Sequence, residues 1–366
     1  MKKADHIIYK NFLKTFSEDK IKDINDYYKV VKLHRKGLSR KEIEKRVDTT
    51  IDKIYSWTER KTKPPHVKLI ETARKRKYFD NLLNNYSEWL SYVIGYNLGD
   101  GHISRDLCHT WFYGVDIDLK KIRRHLIKFG VTPTIYIYKI NNGKMAVCDA
   151  TFSRLLYSLG AVVGDKTKST YTVPDWIFKS KKRSILKKRF LQGLCDSELS
   201  KISRLDDSRF AFQSLKFYMI KEEKYVKNGI SYLSQLRKIF SEFDITTTDV
   251  KEDRTYIRGR DGSRMVQLYF VVHSNYINLF SFLSNIDFLY NSKRVIDDVL
   301  FQKIKCCAEL EINKIVNYEE ALKLRERGLS AYKIAKILDF PIDYIRSWIY
   351  GKHKPRSICK KNFSSS

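Results

Sequence analysis

The sequence predicts an α+β protein: two tandem α-β-β-α-β-β-α units with pseudo-twofold symmetry, flanked by small all-α domains. Three observations predict it. A short pattern occurs twice, as Val93-Ile94-Gly95-Tyr96-Asn97-Leu98-Gly99-Asp100-Gly101 and as Leu191-Gln192-Gly193-Leu194-Cys195-Asp196-Ser197-Glu198-Leu199. Similar strand-like and helix-like stretches follow each copy. Text near the N-terminus returns near the C-terminus without a gap: Ser56-Trp57 falls on Ser347-Trp348, an offset of 291. The expected boundaries are 1–65 (N-terminal helix-turn-helix), 66–85 (basic linker), 86–180 and 181–315 (the two repeats) and 316–360 (C-terminal helix-turn-helix).

Each copy of the pattern ends an apolar, helix-compatible run. Gly95 and Gly99, then Gly193 and Ser197, lie four apart and so share one helix face. Small residues there let another backbone approach closely, and the two small faces are expected to pack together. Asp100 and Glu198 follow at the same 98-residue offset as the small residues. The two carboxylates then meet at helix C-termini, where the dipole is already negative. A divalent cation with oxygen ligands relieves that repulsion. One copy alone reads as a glycine-containing core helix with an acidic end; two matched copies point to a site.

Composition narrows the partner. The 366 residues suggest two or three domains, and 43% apolar residues suffice for a sizeable core. Lys and Arg number 71 against 42 Asp and Glu, a net charge of +29. That calls for a polyanionic partner, with nucleic acid ahead of a membrane surface. No apolar run reaches the length of a membrane span, and no signal-peptide core follows Met1-Lys2-Lys3-Ala4-Asp5-His6. Cys108, Cys148, Cys195, Cys306, Cys307 and Cys359 form no metal-like spacing. They read as reduced thiols of an intracellular, cytoplasmic protein, nucleoid-associated when bound to DNA.

Along the chain, a helix through Tyr27–Arg35 stops at Gly37. Ser39 with Glu42 forms a capping box, and a third helix runs through Ile51, Ile54 and Trp57. Three short helices in this order read as a helix-turn-helix, with a trihelical adaptor without a DNA role as the lesser alternative. Lys53, Arg60, Lys61 and Lys63, and in the second copy Arg346, Lys352 and Lys354, stand where bases or phosphates would be reached. The charge run Lys68–Lys77 reads as a solvated face or a DNA contact. Strands are expected at His102–Ser104, His109–Tyr113, Thr134–Tyr138 and Lys144–Val147, the last pair joined across Asn141-Asn142-Gly143. In the second unit they are expected at Leu199–Ser203, Arg209–Ser214, Arg254–Arg258 and Met265–Phe270. Arg105, Arg209, Gln213, Lys216, Arg258, Arg260, Arg264 and Gln267 are the expected groove-reading residues.

On these motifs, over residues 86–315, the sequence resembles the LAGLIDADG (DOD-type) homing-endonuclease family in its monomeric two-motif form. The segments Leu159–Lys168, Pro174–Ile177 and Asn285–Phe288 with Lys293 are also similar to family text. The resemblance implies a monomer with an internal pseudo-dimer that binds double-stranded DNA and cleaves both strands as a metal-dependent phosphodiester hydrolase. It assigns Asp100 and Glu198 to divalent metal, Mg²⁺ or Mn²⁺. It puts Lys293 and Lys166 or Lys168 near the scissile phosphates, and a polar residue, Gln213, on the first strand pair. One departure stands out: the final glycine of the motif is Gly101 in the first copy but Leu199 in the second. The alternatives are a non-catalytic DNA-binding regulator on the same scaffold and an RNA-splicing cofactor. The chain begins with Met, not Cys or Ser, and ends Asn362-Phe363-Ser364-Ser365-Ser366 without a preceding His, so a free-standing protein is expected rather than an intein.

Overall fold

The computed structural model describes residues 3–80, 82–139, 142–200, 202, 212–290 and 297–355. Arg209, Lys293 and part of the two strands expected over 199–214 lie outside these. Contacts divide the chain into two units, Met1–Ile177 and Phe178–Ser366.

In the first unit α1 (Lys3–Leu13), α2 (Glu18–Arg35), α3 (Arg40–Glu44), α4 (Ile51–Thr58) and α5 (Pro65–Lys75) precede the pattern helix α6 (Leu82–Leu98). α2, α3 and α4 share a core of Ile24, Tyr27, Val30, Ile43, Ile54 and Trp57, with Tyr27 edge-on to Trp57 at 5.7 Å. α2 stops at Gly37, whose φ of +85° strains any other residue. The Ser39 N–H then donates to Glu42 Oε2 at 2.8 Å, closing the capping box.

Residues 66–85 are not a linker. α5 starts with Pro65 at its first position, where proline costs no hydrogen bond. Val67, Ile70 and Ala73 recur on one face and are buried, although Lys68, Arg74 and Lys75 surround them. α1 and α5 pack on α8 (Ala150–Ser158). Arg154 on α8 donates to the Thr15 carbonyl at 2.6 Å, and Arg76 pairs with Asp149 at 2.6 Å. The first five helices and the α-β layer are therefore one packed body.

α6 runs into β1 (Gly101–Ile103), followed by β2 (Thr110–Gly114), α7 (Asp116–Lys128), β3 (Thr134–Lys139), β4 (Asn142–Val147) and α8. This is the expected α-β-β-α-β-β-α order. The sheet is antiparallel with strand order β1-β2-β4-β3. Alternation puts Ile103, Phe112, Met145 and Val147 inward; His102, Trp111, Tyr113, Lys144 and Tyr136 share the opposite face. α9 (Asp175–Phe178) carries the boundary between the units along the chain, at Ile177 and Phe178.

The second unit has α10 (Ile185–Glu198), β5 (Leu215–Glu222), α11 (Val226–Glu242), β6 (Lys251–Ile257), β7 (Arg264–Val272) and α12 (Tyr276–Asn285). Its described sheet is antiparallel, in the order β5-β7-β6, the same as β2-β4-β3. The strand pairing with β7 starts at Leu215, not within Arg209–Ser214, and Gln213 is exposed ahead of it. Lys221 obscures this strand in the sequence: it is fully buried on the inward face, opposite Val266.

α13 (Asp298–Glu326), α14 (Ala331–Leu338) and α15 (Ile342–Ile349) end the described chain. The expected boundary at 315/316 falls inside α13, a single helix of 29 residues. Near its start Ile304 and Ala308 are buried; near its end Tyr318, Ala321 and Leu324 form a core with Ile334, Ile345 and Trp348. No residue from 309 to 317 is buried. The 291-residue offset reappears in geometry: Tyr318 meets Trp348 at 5.7 Å and Gly328 has φ +84°. Among the described residues no helix is long and apolar enough to cross a membrane.

Candidate functional site

The chain is buried from Leu90 to Gly99; Gly95 lies inside the core helix α6, and Gly99 just past its end donates its N–H to the Gly95 carbonyl at 3.2 Å. Asp100 emerges half-exposed, and its carbonyl accepts the Tyr113 N–H at 2.9 Å. The chain turns so tightly that a Cβ on Gly101 would stand 2.4 Å from the Asn97 Cα. Glycine is required here by close approach of backbone to backbone.

Beneath this exit lies the segment after α8. The Gly164 N–H donates to the Ile103 carbonyl at 2.8 Å, and Val163 bridges Ile103 in parallel. The Asp165 carboxylate accepts from the Thr167 N–H at 3.0 Å and its hydroxyl at 2.6 Å. These bonds fix a turn that presents Lys166. Its ammonium donates to the carbonyls of Asn97 at 3.0 Å, Leu98 at 2.9 Å and Gly99. Three N–H donors thus meet three carbonyls at the negative end of the helix dipole. Lys166 therefore caps the pattern helix. Lys168 lies half-exposed two residues on. Burial first, then the Lys166 charge, hold the His102 imidazole below the usual histidine value.

Hard oxygen donors at this exit suit Mg²⁺ or Mn²⁺ and not a thiophilic metal. Among the described residues no three His, Cys, Asp or Glu gather around a common point. A cation at Asp100 would complete its shell with water or phosphate oxygens, as Mg²⁺ commonly does. The Asn97 side chain fits that hydration: it is 1% exposed, and neither amide atom has a hydrogen-bond partner.

In α10, Gly193 and Ser197 are likewise buried. The Ser197 hydroxyl is within 3.1 Å of the Gly193 carbonyl and 3.0 Å of the Leu194 carbonyl, so it is satisfied within its own helix. The segment after α12 is clamped onto α10. Gln192 donates to the Ile286 carbonyl at 2.7 Å, and the Asp196 carboxylate accepts the N–H groups of Leu289 at 3.2 Å and Tyr290 at 3.0 Å. Glu198 is the last, half-exposed residue of the helix. Leu199 leaves with φ −73° and ψ 143°, ordinary extended backbone, and its side chain is fully buried. The second exit needs no glycine.

The groove-reading candidates divide by their partners. Lys53 pairs with Asp23 at 2.7 Å, Lys63 with Glu71 at 2.7 Å and Arg264 with Glu223 at 3.3 Å. Gln267 accepts from Arg254 across the sheet at 2.8 Å, and Arg258 lies 3.7 Å from Asp261. Arg60, Lys61, Arg105, Arg260, Arg346, Lys352 and Lys354 are exposed. Lys216 is exposed too and lies 5.8 Å from the centre of the Tyr269 ring. Sequence reading assigned no role to Asn97 or Gln192 and named Asp196 only as part of the motif; the signal of all three is polarity inside an apolar helix. Sequence reading also passed over the outer-face stack of His102 on Trp111 at 5.2 Å with Lys144 4.6 Å from the indole centre.

No family model matches the chain. Among curated proteins it is 23% identical over 276 residues to the replication factor C small subunit of Methanocaldococcus jannaschii, covering 71% of this chain and 14% of that protein. It is 25% identical over 285 residues to the tRNA-splicing ligase RtcB of the same organism, covering 69% of this chain and 27% of that protein. A third match is the RNA polymerase subunit Rpo1N of that organism, 25% identical over 313 residues, covering 76% of this chain and 22% of that protein. The chain thus spans less than a third of the length of these curated relatives. Solved structures similar to it include full-length WhiA from Thermatoga maritima, with TM-score 0.34, 17% identity and coverage of 72% and 89% of the two chains. The I-SmaMI LAGLIDADG homing endonuclease bound to cleaved DNA gives TM-score 0.32 and 10% identity, covering 73% and 97%. A variant of I-DmoI in complex with its target DNA and manganese gives TM-score 0.32 and 13% identity, covering 55% and 94%.

Proposed function

We propose that the chain is a site-specific double-strand DNA endonuclease of the homing type, in which Asp100 and Glu198 hold Mg²⁺ or Mn²⁺. The observation that carries this reading is the pair of pattern helices ending in a half-exposed carboxylate, each followed by a backbone exit whose tightness is met by the residue present. The curated matches are consistent with a portable module: the shared segment is a minor part of proteins whose names have nothing in common. When bound, the cation lowers the pKa of a water and neutralises charge on the phosphorane. The chain's own residues do the rest. Lys166 fixes the end of α6 and so aims Asp100; Asp196 and Gln192 fix the stretch that leads toward Lys293. Lys216, Arg260 and the other exposed cations hold phosphates. The three-helix groups at α2–α4 and α13–α15 act as helix-turn-helix modules that extend the footprint, with α4 and α15 facing the major groove.

The test is incubation of the purified chain with DNA carrying a selected site, in Mg²⁺ and in Mn²⁺, beside Asp100→Asn and Glu198→Gln. The expected result is double-strand cutting that each variant abolishes while binding persists. Site-specific binding without cutting in either metal would establish the second reading, a DNA-binding regulator on this scaffold.

A further inference from the structure

The amide of Asn97 is a polar group with no structural reason to be where it is. It sits on a helix whose neighbouring residues, Val93, Ile94, Tyr96 and Leu98, are apolar or aromatic and buried. It is 1% exposed, and both its oxygen and its nitrogen lack a hydrogen-bond partner. Leaving such a group without a partner is destabilising, whereas an apolar residue of the same shape there is neutral or better. At the matched position of the second copy, 98 residues on, the chain has a buried cysteine, Cys195. The fold therefore does not demand an amide.

Its location points to what it serves. Asn97 lies one helical turn before Asp100. Its Nδ2 is 2.5 Å from where a Gly101 side chain would begin, so the amide lies against the backbone directly after Asp100. The Asn97 carbonyl is at the same time one of the three that Lys166 binds. An amide offers both donors and an acceptor, the set a water molecule needs in order to be oriented and not merely trapped.

We propose that Asn97 is a positioning residue: it seats an ordered water that joins the hydration shell of the divalent cation at Asp100. The inference rests on the metal-binding reading above and adds a residue to it. The first unit then sets the cation's water through Asn97, and the second, with Cys195, does not. The two ends of the pattern are chemically unequal, so the two strands are served by unlike environments.

The test measures Mn²⁺ binding to the full chain without DNA, by electron paramagnetic resonance titration, together with melting temperature in EDTA. The variants are Asn97→Leu, which keeps the shape, and Asn97→Cys, which copies the second motif and serves if the leucine form does not fold. The expected result is a melting temperature in EDTA at or above that of the parent and Mn²⁺ affinity weakened roughly 10- to 100-fold, as for loss of an outer-shell partner. Parent-like Mn²⁺ affinity in the folded variants overturns the proposal, whether or not the melting temperature falls. Asp100→Asn separates the two levels: if it too binds Mn²⁺ as the parent does, the metal reading itself has failed.

Discussion

Lys166 holds three carbonyls of α6 and lies one residue from the carboxylate it is expected to serve. Its removal is therefore a structural event first. Lys166→Met is expected to lower stability by about 1.5–3 kcal/mol, the range for hydrogen bonds to a charged group; an unchanged denaturation midpoint would mean that the cap contributes nothing. The two motif ends make opposite demands. Gly101→Ala drives a Cβ into the Asn97 backbone and belongs at the upper end of the ~1–3 kcal/mol usual for overpacking. Leu199→Gly, which restores the motif's glycine, empties a fully buried site and is expected to cost about 3–5 kcal/mol. Urea denaturation of both variants checks the pair. Residue types at the two ends were legible in the sequence; the reason for glycine was not, because it depends on how closely β1 passes Asn97.

Among the elements, the order after α6 followed from alternation and turn residues; β3 and β4 pair as expected, but Asn142 and Gly143 belong to β4, and Asn141 of the expected turn lies outside the described residues. The burial of α5, expected as a helix-like linker, and the presence of β5 escaped the sequence for one physical reason. Charge on the outer face of α5 hid the Val67, Ile70, Ala73 spacing, and a buried lysine broke the alternation of β5. A lysine placed inward follows from tertiary packing, which local pattern does not carry. The α2–α5 contact also has a titratable member. His66 lies 3.5 Å from Asp23, with its side chain 12% exposed. Burial first, opposed by Asp23, holds its pKa below the ordinary histidine value. The unfolded chain then takes up the proton before the folded one, so stability is full above about pH 6.5 and is lost as pH falls toward the depressed value. Melting temperatures from pH 5 to 7.5 should rise with pH, and His66→Gln should flatten that rise; an unchanged slope would remove His66 as the cause.

For the whole molecule, the charge of +29 would make the proposed binding to DNA steeply dependent on salt. Arg346, Lys352 and Lys354 are exposed at the end of the C-terminal three-helix group. If all three touch phosphates, replacing them with Gln should reduce the slope of log K against log salt by roughly 2.7, at about 0.9 per contact. An unchanged slope would place that group off the DNA. The unbroken α13 gives this arrangement an angular register. Its 29 residues span about 43 Å, and between Ala308 and Tyr318 nothing is buried that would resist an inserted residue. One added residue there swings the C-terminal group through about 100° around the helix axis. Seven restore the phase to within about 20° and move the group along by about 10 Å, close to three base pairs. On a target DNA the one-residue insertion should erase the distal part of the footprint, and the seven-residue insertion should bring it back displaced. On the DNA-binding reading α13 is an indexing shaft: its length sets how far the outer contact lies, and its pitch sets which face of the duplex it meets.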